Sequence, residues 1–354
     1  MTNITPDSGA PDSSRPTIEA PKKKPTLAIV LGVLAVAVIG ALIWFFVAQG
    51  NNGQSSPGNS TAPSASDGTA PSDDAEAGDD SGAITEGLGS PSDPVQFGTV
   101  GAGDPYWATF KAAVEAEGIS IDIVDFSDYT APNPALSEGE LDINQFQHII
   151  FLAQYNVASG ADLVPTGSTA IYPLGLYSKQ FDSVEEIPDG STVAVPNDTT
   201  NLARALLLLQ SQGLVTLQDG GSPFSGLNDV IQDESRVQVQ ALDAALTATS
   251  LEDVAAAVIN NDFVGDAGLT AGDAIAEDDP SDPSAQPYIN IFATSPENAD
   301  NEVLQRIVEI YQTNQEVLDG VQETAGGTAQ FVVTPVEELV ESLKVTEEDY
   351  AANQ

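Results

Sequence analysis

Apolar positions are distributed very unevenly along this chain, and their spacing changes character three times. Residues 1–25 are polar and proline-rich, the pattern of a disordered cytoplasmic tail. Lys22, Lys23 and Lys24 then precede an uncharged, almost wholly apolar run from Thr26 to Val47. As a helix that run spans roughly 33 Å, about the thickness of a bilayer core. It closes on Trp44, Phe45 and Phe46, side chains suited to the membrane interface. The lysines on its N-terminal side predict a cytoplasmic N-terminus, a single-pass anchor over residues 26–48 and an extracytoplasmic remainder. A cleaved signal peptide is the alternative; the apolar run exceeds the usual length for one, and no clear A-x-A site follows it.

Residues 49–94 are Gly, Ser, Pro, Ala and acid with no basic residue, and read as a disordered acidic linker. As a flexible coil it has a span of about 35 to 40 Å. Its Asp73-Asp74 and Asp79-Asp80 pairs lack EF-hand spacing and read as solvated charge rather than a calcium site.

From Val95 onward strand and helix patterns alternate. Strand signals over Val95 to Val100 and Ile119 to Ile123 flank a helix with Asp104 at the N-cap and Pro105 at its first position, which places Trp107, Phe110 and Val114 on one face. A strand over Leu141 to Phe146 leads into a helix from His148 to Ser159, and the alternation runs on to Ile259. The pattern predicts an α/β fold with largely parallel sheets. Further strands over Ile171 to Tyr177 and Tyr288 to Thr294 fall where a chain would cross between two lobes. The expected lobes are 95–178 plus 288–354, and 179–287, with helices from Asn301 and from Pro335 returning to the first. Two facing lobes would place several strand ends around one cleft.

The strand Thr192 to Val195 ends at Pro196, and Asn197 to Asn201 offer capping side chains to the helix that follows. Free N–H groups and the positive end of the helix dipole make this an anion site, with Arg204 in or beside the first turn. A carboxylate, phosphate or sulfate would suit it. No acid stands at position 200 or 208 to pair Arg204 along its own helix. Tyr129, Phe146 and His148 fall just past other strand ends, and Asn260 and Asn290 close or sit within apolar strands. Taken singly, the aromatic residues suit a core, His148 a structural role and the asparagines a turn. Taken together they surround a cleft, where buried amides need partners that a ligand can supply.

Composition removes several function classes. Among 354 residues there are 53 acids, 10 bases, one histidine and no cysteine, for a formal charge of −43. Such a surface repels nucleic acid. Without cysteine there is no disulfide, zinc-thiolate site or thiol nucleophile, and a lone histidine leaves little scope for a histidine metal site; no cofactor is expected. An extracellular hydrolase using carboxylates such as Asp125 and Asp128, or a surface adhesin that keeps a binding-protein fold, are the alternatives to a binding module.

Several runs resemble one family. They are Phe126-Ser-Asp-Tyr-x-x-Pro-Asn-x-Ala-Leu, Gly139-x-x-Asp-x-Asn-x-Phe-Gln-His, Tyr172-Pro-Leu-Gly-Leu-Tyr-Ser-Lys, Val195-Pro-Asn-Asp-x-Thr-Asn-Leu-x-Arg-Ala-Leu-Leu-Leu-Leu-Gln and Ala257-Val-Ile-Asn. The chain from about Val95 onward is similar to the NLPA-type lipoproteins, the methionine-binding components of bacterial ABC importers. The resemblance implies a two-lobed periplasmic-binding-protein fold that delivers methionine, or a related amino acid or methionine-containing dipeptide, to a membrane permease and its ATPase. It implies Arg204 on the ligand carboxylate with Asn201 nearby, Asn260 and Asn290 on its polar groups, and Tyr129, Phe146 and His148 as an aromatic wall for a thioether. Two departures stand out. The family's lipidated cysteine is missing, so the helix over 26–48 is expected to replace the lipid, and Phe151 stands where the family usually has tyrosine.

Overall fold

Two five-stranded sheets carry the chain in a computed structural model that describes residues 83–353. The expected tail, the transmembrane helix over 26–48 and most of the linker lie outside the described residues. Among the described residues no helix is long and apolar enough to cross a membrane.

The last part of the expected linker belongs to the fold. Ile84 N–H donates to the Gly118 carbonyl (3.0 Å), Ser120 N–H donates to Gly89 (2.7 Å), and Ser90 is fully buried. Ile84 and Leu88 pack on the first core. They are the only large apolar residues between positions 49 and 94, which is why this end of an otherwise polar stretch can dock.

The first sheet opens with β1 (Val95–Val100), followed by α1 (Pro105–Ala116), β2 (Ile121–Phe126) and α2 (Pro132–Ser137). Then come β3 (Ile143–His148), α3 (Ile149–Ser159) and β4 (Val164–Ser168). Asp104 holds the N-cap of α1 with Pro105 behind it, although its side chain makes no cap hydrogen bond. Trp107, Phe110 and Val114 turn inward against Phe97 of β1, and edge-on ring contacts continue the cluster, as between Phe110 and Tyr311 at 5.6 Å.

The strand expected over Ile171 to Tyr177 is two strands, β5 (Ala170–Ile171) and β6 (Gly175–Tyr177), and the second already belongs to the other sheet. Pro173 between them has no N–H to give a ladder, so pairing breaks there and the chain crosses. The first crossing therefore lies at Tyr172–Leu174 rather than beyond residue 178. The second sheet is completed by β7 (Thr192–Pro196), α4 (Thr199–Ser211), β8 (Gln238–Leu242), α5 (Ala244–Ser250), β9 (Ala256–Ile259), α6 (Asn261–Val264) and β10 (Ala276–Glu277). The chain returns through a 3₁₀ turn at Pro283–Tyr288 to β11 (Asn290–Thr294), so Tyr288 precedes the strand expected to contain it. It ends with α7 (Glu302–Thr313), α8 (Gln315–Thr324), β12 (Gln330–Phe331) and α9 (Val336–Ala352).

Strand order is β2-β1-β3-β11-β4 in one sheet and β10-β6-β9-β7-β8 in the other. The expectation of largely parallel sheets needs correction. In each sheet two pairings are parallel and two antiparallel, because strands that enter from the opposite sheet, β11 and β6, run against their neighbours. Tyr129, Phe146 and Phe151 from the first side pack with Ile259 and Phe263 from the second, so the two halves touch around the cleft.

Phe110 is fully buried among aromatic rings. Replacement by alanine is expected to cost about 3 to 5 kcal/mol, read as a lower denaturant midpoint with an unchanged slope. A loss under about 1 kcal/mol would show that this cluster does not hold the first sheet together.

Candidate functional site

Helix α4 begins where β7 ends, because Pro196 stops the ladder and Asp198 caps the helix by accepting from Asn201 N–H (2.9 Å). The apolar face of α4, with Leu206 and Leu209 fully buried, seats it on the second sheet. Asn201 and Arg204 are thereby turned toward the crossings between the sheets. On the other side β3 runs straight into α3, and His148 caps that helix through its ring: Phe151 N–H donates to Nδ1 (3.2 Å).

That capping bond fixes the chemistry of the ring. With Nδ1 accepting, a neutral imidazole carries its proton on Nε2, which donates to Asn201 Oδ1 (3.2 Å). Burial, and then the charge of Arg204, push the His148 pKa down to about 3. Asn201 Nδ2 in turn donates to the two oxygens of the Asp198 carboxylate (3.0 and 3.2 Å), so its oxygen points the other way and also accepts from Asn260 Nδ2 (3.0 Å). The amide of Asn260 is consequently oriented as well. Its Oδ1 is buried and has no hydrogen-bond partner among the described residues.

Arg204 is held from three sides. Nε and Nη2 donate to Asp278 (2.6 and 3.1 Å), Nη2 donates to the Tyr172 carbonyl (2.8 Å), and the guanidinium lies 4.4 Å from the centre of the Tyr288 ring. The acid missing from its own helix comes from a segment 74 residues away. Nη1 has no hydrogen-bond partner among the described residues.

One cavity collects these groups. All seven residues singled out from sequence line it: Tyr129, Phe146, His148, Asn201, Arg204, Asn260 and Asn290. Their situations differ. Nδ2 and Oδ1 of Asn201 both bond to protein groups, and His148 is engaged at both nitrogens, so these two orient their neighbours. The Asn290 side chain has no hydrogen-bond partner among the described residues. Tyr129, Phe146 and Phe151 form a ring cluster with centroids 5.7 to 6.2 Å apart.

Sequence reasoning missed Gln147, Asn261 and Asp262 in the cavity wall. Gln147 exchanges amide hydrogen bonds with Asn133 (2.7 Å each way) and gives another to Asn144 (3.0 Å), which pins the start of α2 to β3. Asp262 accepts from Tyr129 Oη (2.8 Å) and from Asn261 Nδ2 (2.7 Å). Its place just after a strand end, the same place that singled out His148, was the available signal. The carboxylates offered for a hydrolase behave differently. Asp125 accepts from Ala102 N–H (3.0 Å), whereas Asp128 closes a turn on Thr130, and these bonds hold its carboxyl below the usual range, the reverse of what a general acid needs.

A model of the NlpA lipoprotein family matches residues 95–331. The D-methionine-binding lipoprotein MetQ of Escherichia coli K12 is 40% identical over 222 residues, which are 62% of this chain and 80% of that protein. Among solved structures, a nutrient binding protein from Burkholderia cenocepacia bound to methionine has a TM-score of 0.62 and 34% identity, covering 67% of this chain and 99% of that one. The substrate binding protein of a methionine transporter from Streptococcus pneumoniae gives 0.63 and 32%, covering 68% and 95%.

His148 is the only histidine, so its ring signals identify themselves by NMR. With its folded pKa lowered to about 3, they are expected not to shift between pH 8 and pH 5. The unfolded chain takes up a proton near pH 6.5 that the folded chain refuses, so this residue's contribution makes stability fall as the pH drops below about 6.5. A ring titrating near pH 6.5 in the folded protein would refute the bonding pattern around Asn201.

Proposed function

The chain belongs to the NlpA lipoprotein family, and from that premise we propose that it is the extracytoplasmic substrate-binding component of an ABC importer that captures methionine. Its role is binding without catalysis, as in the relatives whose names describe binding proteins. The single observation that carries the ligand reading is the oriented Asn260 amide. It leaves an unpartnered, buried oxygen in a chamber that also holds a pinned guanidinium with a nitrogen to spare.

An amino acid supplies what each group lacks. Its carboxylate takes the free Nη1 of Arg204, and its ammonium gives a proton to Asn260 Oδ1. Asn290 offers a further amide for either end. Tyr129, Phe146 and Phe151 then receive the side chain, and a thioether sulfur against ring edges is worth about 0.3 to 1.5 kcal/mol.

The partners in this reading are a membrane permease and its cytoplasmic ATPase. Residues 26–48 serve as the anchor in place of a lipid, since the sequence has no cysteine to carry one. The charge of −43 accords with an extracytoplasmic protein that has no nucleic-acid partner.

Titration calorimetry of the full chain against D- and L-methionine and the other free amino acids tests this directly. Binding of methionine in preference to the rest is expected, and no binding by any amino acid would sink the proposal. Arg204→Ala is expected to weaken binding by more than about a hundredfold, because it leaves a buried carboxylate unpaired. An affinity within about threefold of wild type would place the carboxylate elsewhere.

A further inference from the structure

Among the described residues lining the chamber, Arg204 is the sole cation and Asp262 the sole carboxylate, His148 being neutral. Resting on the amino-acid reading above, we propose that Asp262 is the counter-ion of the ligand's α-ammonium, so that the site selects ligands with a free amine and rejects N-acylated ones.

The geometry supports this from several sides. Asp262 sits on α6 two residues beyond Asn260, and the carboxylate and the residue with the unpartnered amide oxygen line the same chamber. Each carboxylate oxygen accepts one protein hydrogen bond, from Tyr129 and Asn261 respectively, and an ionised carboxylate has about four acceptor positions. About two remain for a cation. The Tyr129 bond also joins a residue after β2, in the first sheet, to one after β9, in the second, so an ammonium bound here would sit beside a contact that closes the cleft.

Among the described residues no ion pair involves Asp262. Asp104, at the start of α1, lines the adjoining cavity with it, as does Asp266. Tyr129 and Tyr172 face it from the first half, and Arg204, in the same chamber wall, is engaged with Asp278. Burial, with a contribution from Asp104, pushes its pKa up to about 7. A bound ammonium favours the ionised form, so at pH 6 binding must expel the proton that the free site holds. Affinity should therefore fall by up to tenfold per pH unit below about 7, and level off above it. An amide nitrogen, as in an N-acyl amino acid, brings no charge to offset that ionisation.

The test is calorimetry of the full chain with methionine, in the enantiomer it prefers, and with N-acetylmethionine of the same hand. Wild type is expected to bind the acetylated compound at least about a hundredfold more weakly, and to release close to one proton on binding methionine at pH 6, read from buffers of different ionisation enthalpy. Asp262→Asn should weaken methionine about 10- to 100-fold, shrink the preference over the acetylated compound and abolish the proton release. Equal affinity of wild type for the two compounds, or no proton release at pH 6, overturns the proposal without using any variant. So does an Asp262→Asn protein that keeps wild-type affinity and preference. Each of those outcomes leaves the amino-acid reading standing, because methionine still binds. A wild-type chain that binds neither compound overturns that reading, and this proposal with it.

Discussion

The direction of one hydrogen-bond relay organises the chamber. The Asp198 carboxylate can only accept, so it draws the amide nitrogen of Asn201 toward both of its oxygens and turns the amide oxygen outward. The oxygen then accepts from His148 and Asn260, two residues on opposite sides of the cleft. Each group in the relay has a single allowed orientation once the previous one is set. At its end an amide oxygen is left bare in the cavity wall. Leaving such a group unpaired costs about 1 to 3 kcal/mol, a penalty that a ligand donor removes.

Most of the fold was legible because its signals are local. Asp104-Pro105 starts a helix where expected, and Trp107, Phe110 and Val114 face inward as their spacing requires. The errors concern relations between distant segments. Ile171 to Tyr177 reads as one apolar strand, yet Pro173 divides it between two sheets. The direction of β11 and β6 follows from which half the chain arrives from, and no local pattern records that. The docking of Ile84 and Leu88 was hidden by the polar composition around them, since two apolar residues are too few to register as an element.

The site residues were legible as positions rather than as roles. Strand ends single out Tyr129, His148, Asn201 and Asn260, and the fold brings them to one cavity. What each does depends on partners far away in sequence. Arg204 looked unpaired because its own helix offers no acid, while Asp278 and the Tyr172 carbonyl reach it across the crossings. Asn201 looked like a ligand contact, but its polar atoms are already engaged. Asp262 was lost among 53 acids, and only burial sets it apart.

That surplus of acid bears on which anion the chamber can take. At a formal charge of −43 the protein's field opposes the approach of phosphate or sulfate, the two ligands that the strand-turn-helix at Thr192 to Gln210 would otherwise suit equally well. A zwitterion has no net charge and meets no such opposition. Inside the chamber the balance is local: one guanidinium, fixed by Asp278 and stacked on Tyr288, and one carboxylate at Asp262. Opposite charges lining one chamber fit a ligand with both ends charged, and a dianion would share the chamber with Asp262. The choice between anion and amino acid therefore turns on the carboxylate that shares the cavity with the arginine.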